Sequence, residues 1–248
     1  MNSLKFYAAG HSDALDYATA ALKKKGCQFA LQPDTSVTHL LLGVPSFDDS
    51  GMLKGREDIN VLLKELSPHI KVMGGNLQHP ALQDYATVDL LQDSLYLAEN
   101  ARITAHCAVK LAMYRLPVTL HGQQVLVVGW GRIGKCLIQL LQAIGANVTV
   151  AARKESDRAM ALALGYDAID TNTLGYELIR YRVIFNTAPE MVLSKDALQY
   201  CAGDCLKIDL ASRPGLDGDD VLWARGLPGK DAPETSGELI AKTVLRLR

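Results

Sequence analysis

The stretch Gln124-Val125-Leu126-Val127-Val128-Gly129-Trp130-Gly131-Arg132-Ile133-Gly134-Lys135 decides how this chain is read. Residues of buried-strand character run straight into Gly-x-Gly-x-x-Gly. A helical pattern follows through Ile144, Gly145-Ala146 stops it, and Asn147–Val150 reads as the next strand. Strand, glycine turn, helix and strand within about 30 residues is the setting that gives this fingerprint meaning. Gly129 suits the tight turn, Gly131 lets backbone approach a pyrophosphate, and Gly134 allows the helix to pack closely on the strand. The helix N-terminus adds unpaired N–H groups and the positive end of its dipole. Gly129 to Lys135 also fits the Gly-x-x-x-x-Gly-Lys phosphate loop of nucleotide triphosphatases. Cys136, however, stands where that loop needs a hydroxyl for Mg²⁺. The segment therefore reads as a dinucleotide site formed by Gly129, Trp130, Gly131, Arg132, Ile133 and Gly134.

The end of the second strand separates two cofactors. A site that prefers NAD places Asp or Glu about 20 residues past the first glycine, on the ribose 2′-hydroxyl. Here Ala151-Ala152 stand in that place, and Arg153, Lys154, Ser156 and Arg158 follow. A carboxylate would repel a 2′-phosphate, whereas Arg can hold one with two parallel hydrogen bonds. The expected cofactor is NADP, with NAD less favoured, and Ala152, Arg153 and Lys154 join the cofactor residues. Carboxyl ends of later strands line the crevice in such folds. Val183–Asn186 ends in Asn186-Thr187-Ala188-Pro189, which is expected beside the nicotinamide ribose. Leu206–Leu210 ends in Ala211-Ser212-Arg213-Pro214-Gly215. Arg213 reads as a clamp for a substrate carboxylate, with Asp209 orienting it. His106 is the candidate proton acceptor, since an unperturbed imidazole titrates near about 6.5. Arg102 is a second clamp, and His79 is a weaker candidate base.

Outward from this motif, strand-like and helix-like segments alternate, which argues for an α/β fold with parallel sheets. Leu4–Ala9, Thr38–Val44 and Ile70–Met73 read as strands, with helices over His11–Lys25 and Ile59–Leu66. Ala81–Tyr114 lacks Gly and Pro and reads as one or two helices, with a break near Asn100–Thr104. The expectation is a doubly wound parallel-sheet, Rossmann-type dinucleotide domain over residues 96–232. A smaller N-terminal α/β domain on the substrate side covers 1–95. A C-terminal helix at 233–248, amphipathic through Leu239, Ile240, Val244 and Leu247, packs back on it.

Composition sets outer bounds. The chain has 248 residues, 48% of them hydrophobic and 21% charged, with 26 Lys plus Arg against 27 Asp plus Glu. That balance gives no electrostatic footprint for nucleic acid. Mean hydropathy is +0.05, and no apolar run reaches the ~20 residues of a spanning helix, so no membrane role is expected. The N-terminus does not read as a signal peptide, because His11 and Asp13 follow a short apolar stretch. The five cysteines (27, 107, 136, 201 and 205) are scattered and form no Cys-x-x-Cys pair. Reduced thiols, a cytoplasmic location and no metal site are expected.

Rarer motifs lie in the C-terminal half. Asp209-Leu210-Ala211-Ser212-Arg213-Pro214-Gly215 is followed by Gly226-Leu227-Pro228-Gly229, Ala232-Pro233, Thr235 and Gly237. With Asn186-Thr187-Ala188-Pro189 and His121-Gly122, these runs resemble the family of dipicolinate synthase A-subunits over about residues 100–248. The resemblance implies a two-domain fold related to 2-hydroxyacid and alanine dehydrogenases. It implies NADP-dependent oxidation of dihydrodipicolinate to dipicolinate in sporulation. It implies, as partners, a small dicarboxylate substrate and a second, flavoprotein-like B-subunit, and a homo-oligomer is expected. Where that family usually has Thr-x-Glu-Gly, this chain has Thr104-Ala105-His106-Cys107. Two alternatives stay open. One is another NADP-dependent dehydrogenase of a small carboxylate. Its usual late histidine is missing, because His121 is the last in the chain. The other is a non-enzymatic NADP-binding regulator.

Overall fold

The structure is a computed structural model that describes residues 4–55 and 58–248. It divides into two units, Met1–Asn100 with Pro228–Arg248, and Ala101–Leu227. In the first, β1 (Lys5–Ala9), α1 (Asp13–Lys24), β2 (Gln28–Phe29), β3 (His39–Leu42), α2 (Ile59–Glu65), β4 (Lys71–Gly74) and β5 (Ala86–Asp89) follow one another. Their five strands form one parallel sheet in the order β2-β1-β3-β4-β5. Strands this buried read as apolar runs without alternation, as His39-Leu40-Leu41-Leu42 does.

Two expectations for Ala81–Tyr114 are corrected. Residues 86–89 are a strand, not a helix. Ala86-Thr87-Val88-Asp89 completes the ladder at the open edge of β4, pairing Lys71 with Ala86 and Gly74 with Asp89. That edge is a tertiary partner, invisible to local periodicity. The second correction is the absence of a break near Asn100–Thr104. Helix α3 (Ser94–Arg115) runs through 22 residues. Ile103 and Thr104 are both buried, and the helix-propensity penalty of such residues, a few tenths of a kcal/mol each, is small beside the burial they gain.

The second unit holds β6 (Gln124–Val128), α4 (Arg132–Ala143), β7 (Asn147–Ala151), α5 (Glu155–Ala163), β8 (Asp167–Ile169), β9 (Val183–Asn186), α6 (Lys195–Leu198), β10 (Leu206–Asp209) and β11 (Val221–Trp223). The six-stranded sheet is parallel throughout, in the order β11-β10-β9-β6-β7-β8. The chain leaves β6 toward β7 and β8, then returns on its other side as β9. This is the doubly wound order, and its direction reverses between β6 and β9. Leu126, Val128, Ile184 and Leu178 centre one core beneath the sheet.

Helix α7 (Leu227–Asp231) leads into α8 (Pro233–Leu247), which lies against α1. The crossing is tight. A Cβ at Gly237 would sit 2.6 Å from Ala14 O and 2.7 Å from Ala18 N, so only glycine fits there. No helix among the described residues is long and apolar enough to cross a membrane.

Candidate functional site

Where the sheet order reverses, β6 and β9 stay paired as far as Val128 and Asn186, and the chain leaves them toward opposite edges of the sheet, which leaves room beside the glycine turn. Gly129 makes that turn at φ +104°. An added Cβ would lie 2.4 Å from Thr187 Oγ1, and that hydroxyl is already tied to Val128 O at 2.9 Å. Gly134 faces the same turn, since a Cβ there would meet Gly129 O at 2.2 Å. Gly131 is different. It caps α4 without any side-chain hydrogen bond, and a Cβ on it would meet nothing within 4 Å. No side chain caps the first N–H groups of α4, and the space beside Gly131 is open, so a phosphate could meet them there with the helix dipole behind them.

A cavity of about 430 Å³ opens from this turn. Gly129, Trp130, Gly131, Thr187, Ala188 and Pro189 line one part of it, and Ala152, Arg153 and Lys154 another. Trp130 is held half-buried, edge-on to Tyr166 at 6.2 Å and beneath the Lys135 ammonium at 5.4 Å. Arg132, Ile133, Gly134 and Asn186 do not line it. Gly134 serves packing. Asn186 is fully buried, and its amide is spent on Asp209 Oδ1 (2.9 Å) and on both backbone groups of Ala188 (3.0 Å each). Four polar lining residues fall outside the sequence reading: Asp157, Thr171, Asn172 and Glu190. Thr171 and Asn172 follow β8, whose three residues carry too little pattern to mark a strand end. Glu190 simply continues the Asn186–Pro189 run.

The cations after β7 have separate tasks. Arg158 donates to Ala152 O at 2.9 Å and Arg153 O at 2.7 Å, and it pairs with Asp170 at 2.9 Å. It holds the backbone of the turn through Nη1 and does not line the cavity. Arg153 projects into solvent and meets Glu190 Oε2 at 2.7 Å. Lys154 is exposed and forms no ion pair among the described residues.

Asp209 is fully buried at the end of β10. Its carboxylate accepts from Ala211 N (3.0 Å), Gly215 N (2.7 Å) and Leu216 N (3.1 Å), besides Asn186. It organises the loop that presents Arg213. Arg213 is exposed and forms no ion pair with Asp209 or with any other described residue. His106 and Arg102 lie one turn apart on the exposed side of α3. Neither they nor Arg213 line the cavity. His79 lies on the first unit, stacked on Phe47 and accepting from Ala81 N. None of the five cysteines is in a disulfide, and no group of three or more metal-binding side chains is assembled among the described residues.

Residues 97–200 match the family model described as D-isomer specific 2-hydroxyacid dehydrogenase, NAD binding domain. With the doubly wound sheet and the open glycine turn, this makes residues 97–200 similar to the nicotinamide-dinucleotide domain of such dehydrogenases, within an α/β fold of two parallel sheets. In sequence the chain is 34% identical over 156 residues to the A-subunit of dipicolinate synthase from Bacillus subtilis (strain 168). That match covers 60% of this chain and 52% of that protein, so the chain spans about half the length of that relative. The crystal structure of the dipicolinate synthase A-subunit from Bacillus halodurans superimposes with a TM-score of 0.87 at 22% identity, covering 99% of this chain and 97% of that one. The corresponding Bacillus subtilis structure gives 0.81 at 23% identity, covering 100% and 96%. The resemblance to dipicolinate synthase carried by residues 209–215 and 226–237 is borne out.

Proposed function

We propose that this chain is an NADP-dependent dehydrogenase of a small dicarboxylate, with oxidation of dihydrodipicolinate to dipicolinate as the favoured reaction, in sporulation and alongside a flavoprotein-like B-subunit. The observation that carries the reading is the α4 N-terminus left open at Gly131, beside a cavity whose far wall bears Arg153 and Lys154. Gly129, Gly131 and Thr187 would hold the pyrophosphate side, and Arg153 with Lys154 the 2′-phosphate. A bound nicotinamide would supply the hydride acceptor. The chain's own residues supply the rest. Arg213, exposed and without an ion pair among the described residues, offers a planar fork to a substrate carboxylate. Asp209 and Asn186 hold the backbone on either side of that fork and of the cavity wall. His106 is the proposed acceptor of the departing proton and Arg102, one turn away, the proposed clamp for the second carboxylate; both lie outside the cavity lining, so these roles require the substrate to reach α3.

The test is the absorbance of reduced nicotinamide when freshly made dihydrodipicolinate and NADP⁺ are added to the full chain. A rise that depends on both supports the reading, and its absence with the flavoprotein-like partner present overturns the substrate. Arg153→Ala should weaken NADP⁺ about 10- to 100-fold and NAD⁺ far less, the range of a lost charged hydrogen bond. Asp157 favours a second reading. Half-buried on the cavity wall, its carboxylate is able to accept a hydrogen bond from a ribose 2′-hydroxyl, which suits NAD. Equal effects of Arg153→Ala on both cofactors would select it.

A further inference from the structure

The cavity carries its own anion at the place where a 2′-phosphate would bind. Glu190 Oε2 lies 2.7 Å from Arg153 Nη1, and both residues line the cavity, one on the turn after β9 and the other on the turn after β7. Neither end of the pair is loosely placed. The Arg153 carbonyl is held by Arg158 at 2.7 Å. The Glu190 backbone is pressed against Gly215, where an added Cβ would come within 2.5 Å of Glu190 O, and Val192 N donates to Gly215 O at 2.8 Å. The two side chains remain largely in solvent, 67% and 63% exposed, so the pair is weak and easily exchanged.

We propose that Glu190 is a specificity-determining residue: its carboxylate occupies the Arg153 guanidinium, and the 2′-phosphate of NADP binds by displacing it. The inference rests on the NADP reading given above. A phosphate brings more charge and three acceptor oxygens to the same fork, so it outcompetes one carboxylate. NAD has only a hydroxyl there and leaves the pair in place. Glu190 therefore lowers affinity for NADP and not for NAD, and narrows the preference between them. Arg158, tied through Nη1 to two carbonyls and Asp170, does not line the cavity and so does not stand in for Arg153 in the exchange.

The experiment titrates the full chain with NADP⁺, NAD⁺ and adenosine 2′,5′-bisphosphate, a probe with the phosphate but no nicotinamide. The readout is tryptophan fluorescence in a Trp223→Phe background, which leaves Trp130, a residue of the cavity lining, as the one reporter. Wild type, Glu190→Gln and Arg153→Ala are compared. Glu190→Gln should tighten NADP⁺ and the bisphosphate about two- to fivefold, the scale of an exposed ion pair. NAD⁺ should not change, and the gain should shrink as salt is raised. If Arg153→Ala discriminates between the cofactors but Glu190→Gln changes nothing, or tightens NAD⁺ as much, the competitor role is overturned and the NADP reading stands. If Arg153→Ala weakens both cofactors alike, the NADP reading itself fails and the competitor role fails with it.

Discussion

Two strand-to-helix turns in this chain use the same backbone device for opposite ends. After β1, Gly10 turns at φ +88° and Ser12 caps α1, its hydroxyl accepting from Leu15 N at 3.2 Å. After β6, Gly129 turns at φ +104° and Gly131 caps α4 with no side chain at all. Both helices have twelve residues and follow a strand of a parallel sheet. One helix start is closed by its own sequence and the other is left for a ligand. The lesson is that a glycine turn alone does not mark a binding site. The residue at the cap adds the second condition, because it settles whether the first N–H groups are already satisfied.

The largest expected effect separates the two turn glycines. Gly129→Ala forces a left-handed alanine into Thr187 Oγ1, and that hydroxyl is tied to Val128 O. We expect a loss of about 2–4 kcal/mol in urea unfolding. Gly10→Ala meets Lys54 O at 3.1 Å and otherwise makes only ordinary contacts at 3.9–4.0 Å, and should cost about 1–2 kcal/mol. Equal losses would show that close approach is not what sets the second turn apart.

The same contrast of spent and free groups recurs after β10. Asp209 has its bonding capacity taken up by three N–H groups of the loop and by Asn186, whereas the Arg213 it presents meets no partner among the described residues. Arg213→Lys keeps the charge and loses the fork. Turnover efficiency with the dicarboxylate should fall at least about tenfold, or 1.4 kcal/mol, with NADP⁺ affinity and melting temperature nearly unchanged. A drop in melting temperature with kinetics intact would make Arg213 a structural residue instead.

The smallest effects come from exchanging the caps. Ser12→Ala should cost about 1 kcal/mol of stability and leave dinucleotide binding as it was. Gly131→Ser should do the reverse, gaining a few tenths of a kcal/mol while its hydroxyl takes the N–H groups that a phosphate needs. Calorimetric melting beside a dinucleotide titration reads both changes, and a Gly131→Ser protein that binds as well as wild type breaks the comparison.

Much of this protein was legible in residue order because the signals are local. Gly129-x-Gly131-x-x-Gly134 between two apolar runs needs no distant partner to be meaningful, since strand, turn and helix are adjacent in the chain. The absence of a carboxylate at Ala151-Ala152 is likewise written in the sequence, and so are residues 209–215 and 226–237, which carry the resemblance to dipicolinate synthase. What only the tertiary structure decided is which groups are already spent. Ala86–Asp89 is a strand because β4 offers an open edge. Arg158 is committed to two carbonyls and Asp170, and Arg153 meets Glu190, 37 residues away in the chain. Asn186 turns from the cavity to Asp209. A hydrogen bond or ion pair across strands depends on where two distant segments are brought together, and sequence spacing does not encode that distance.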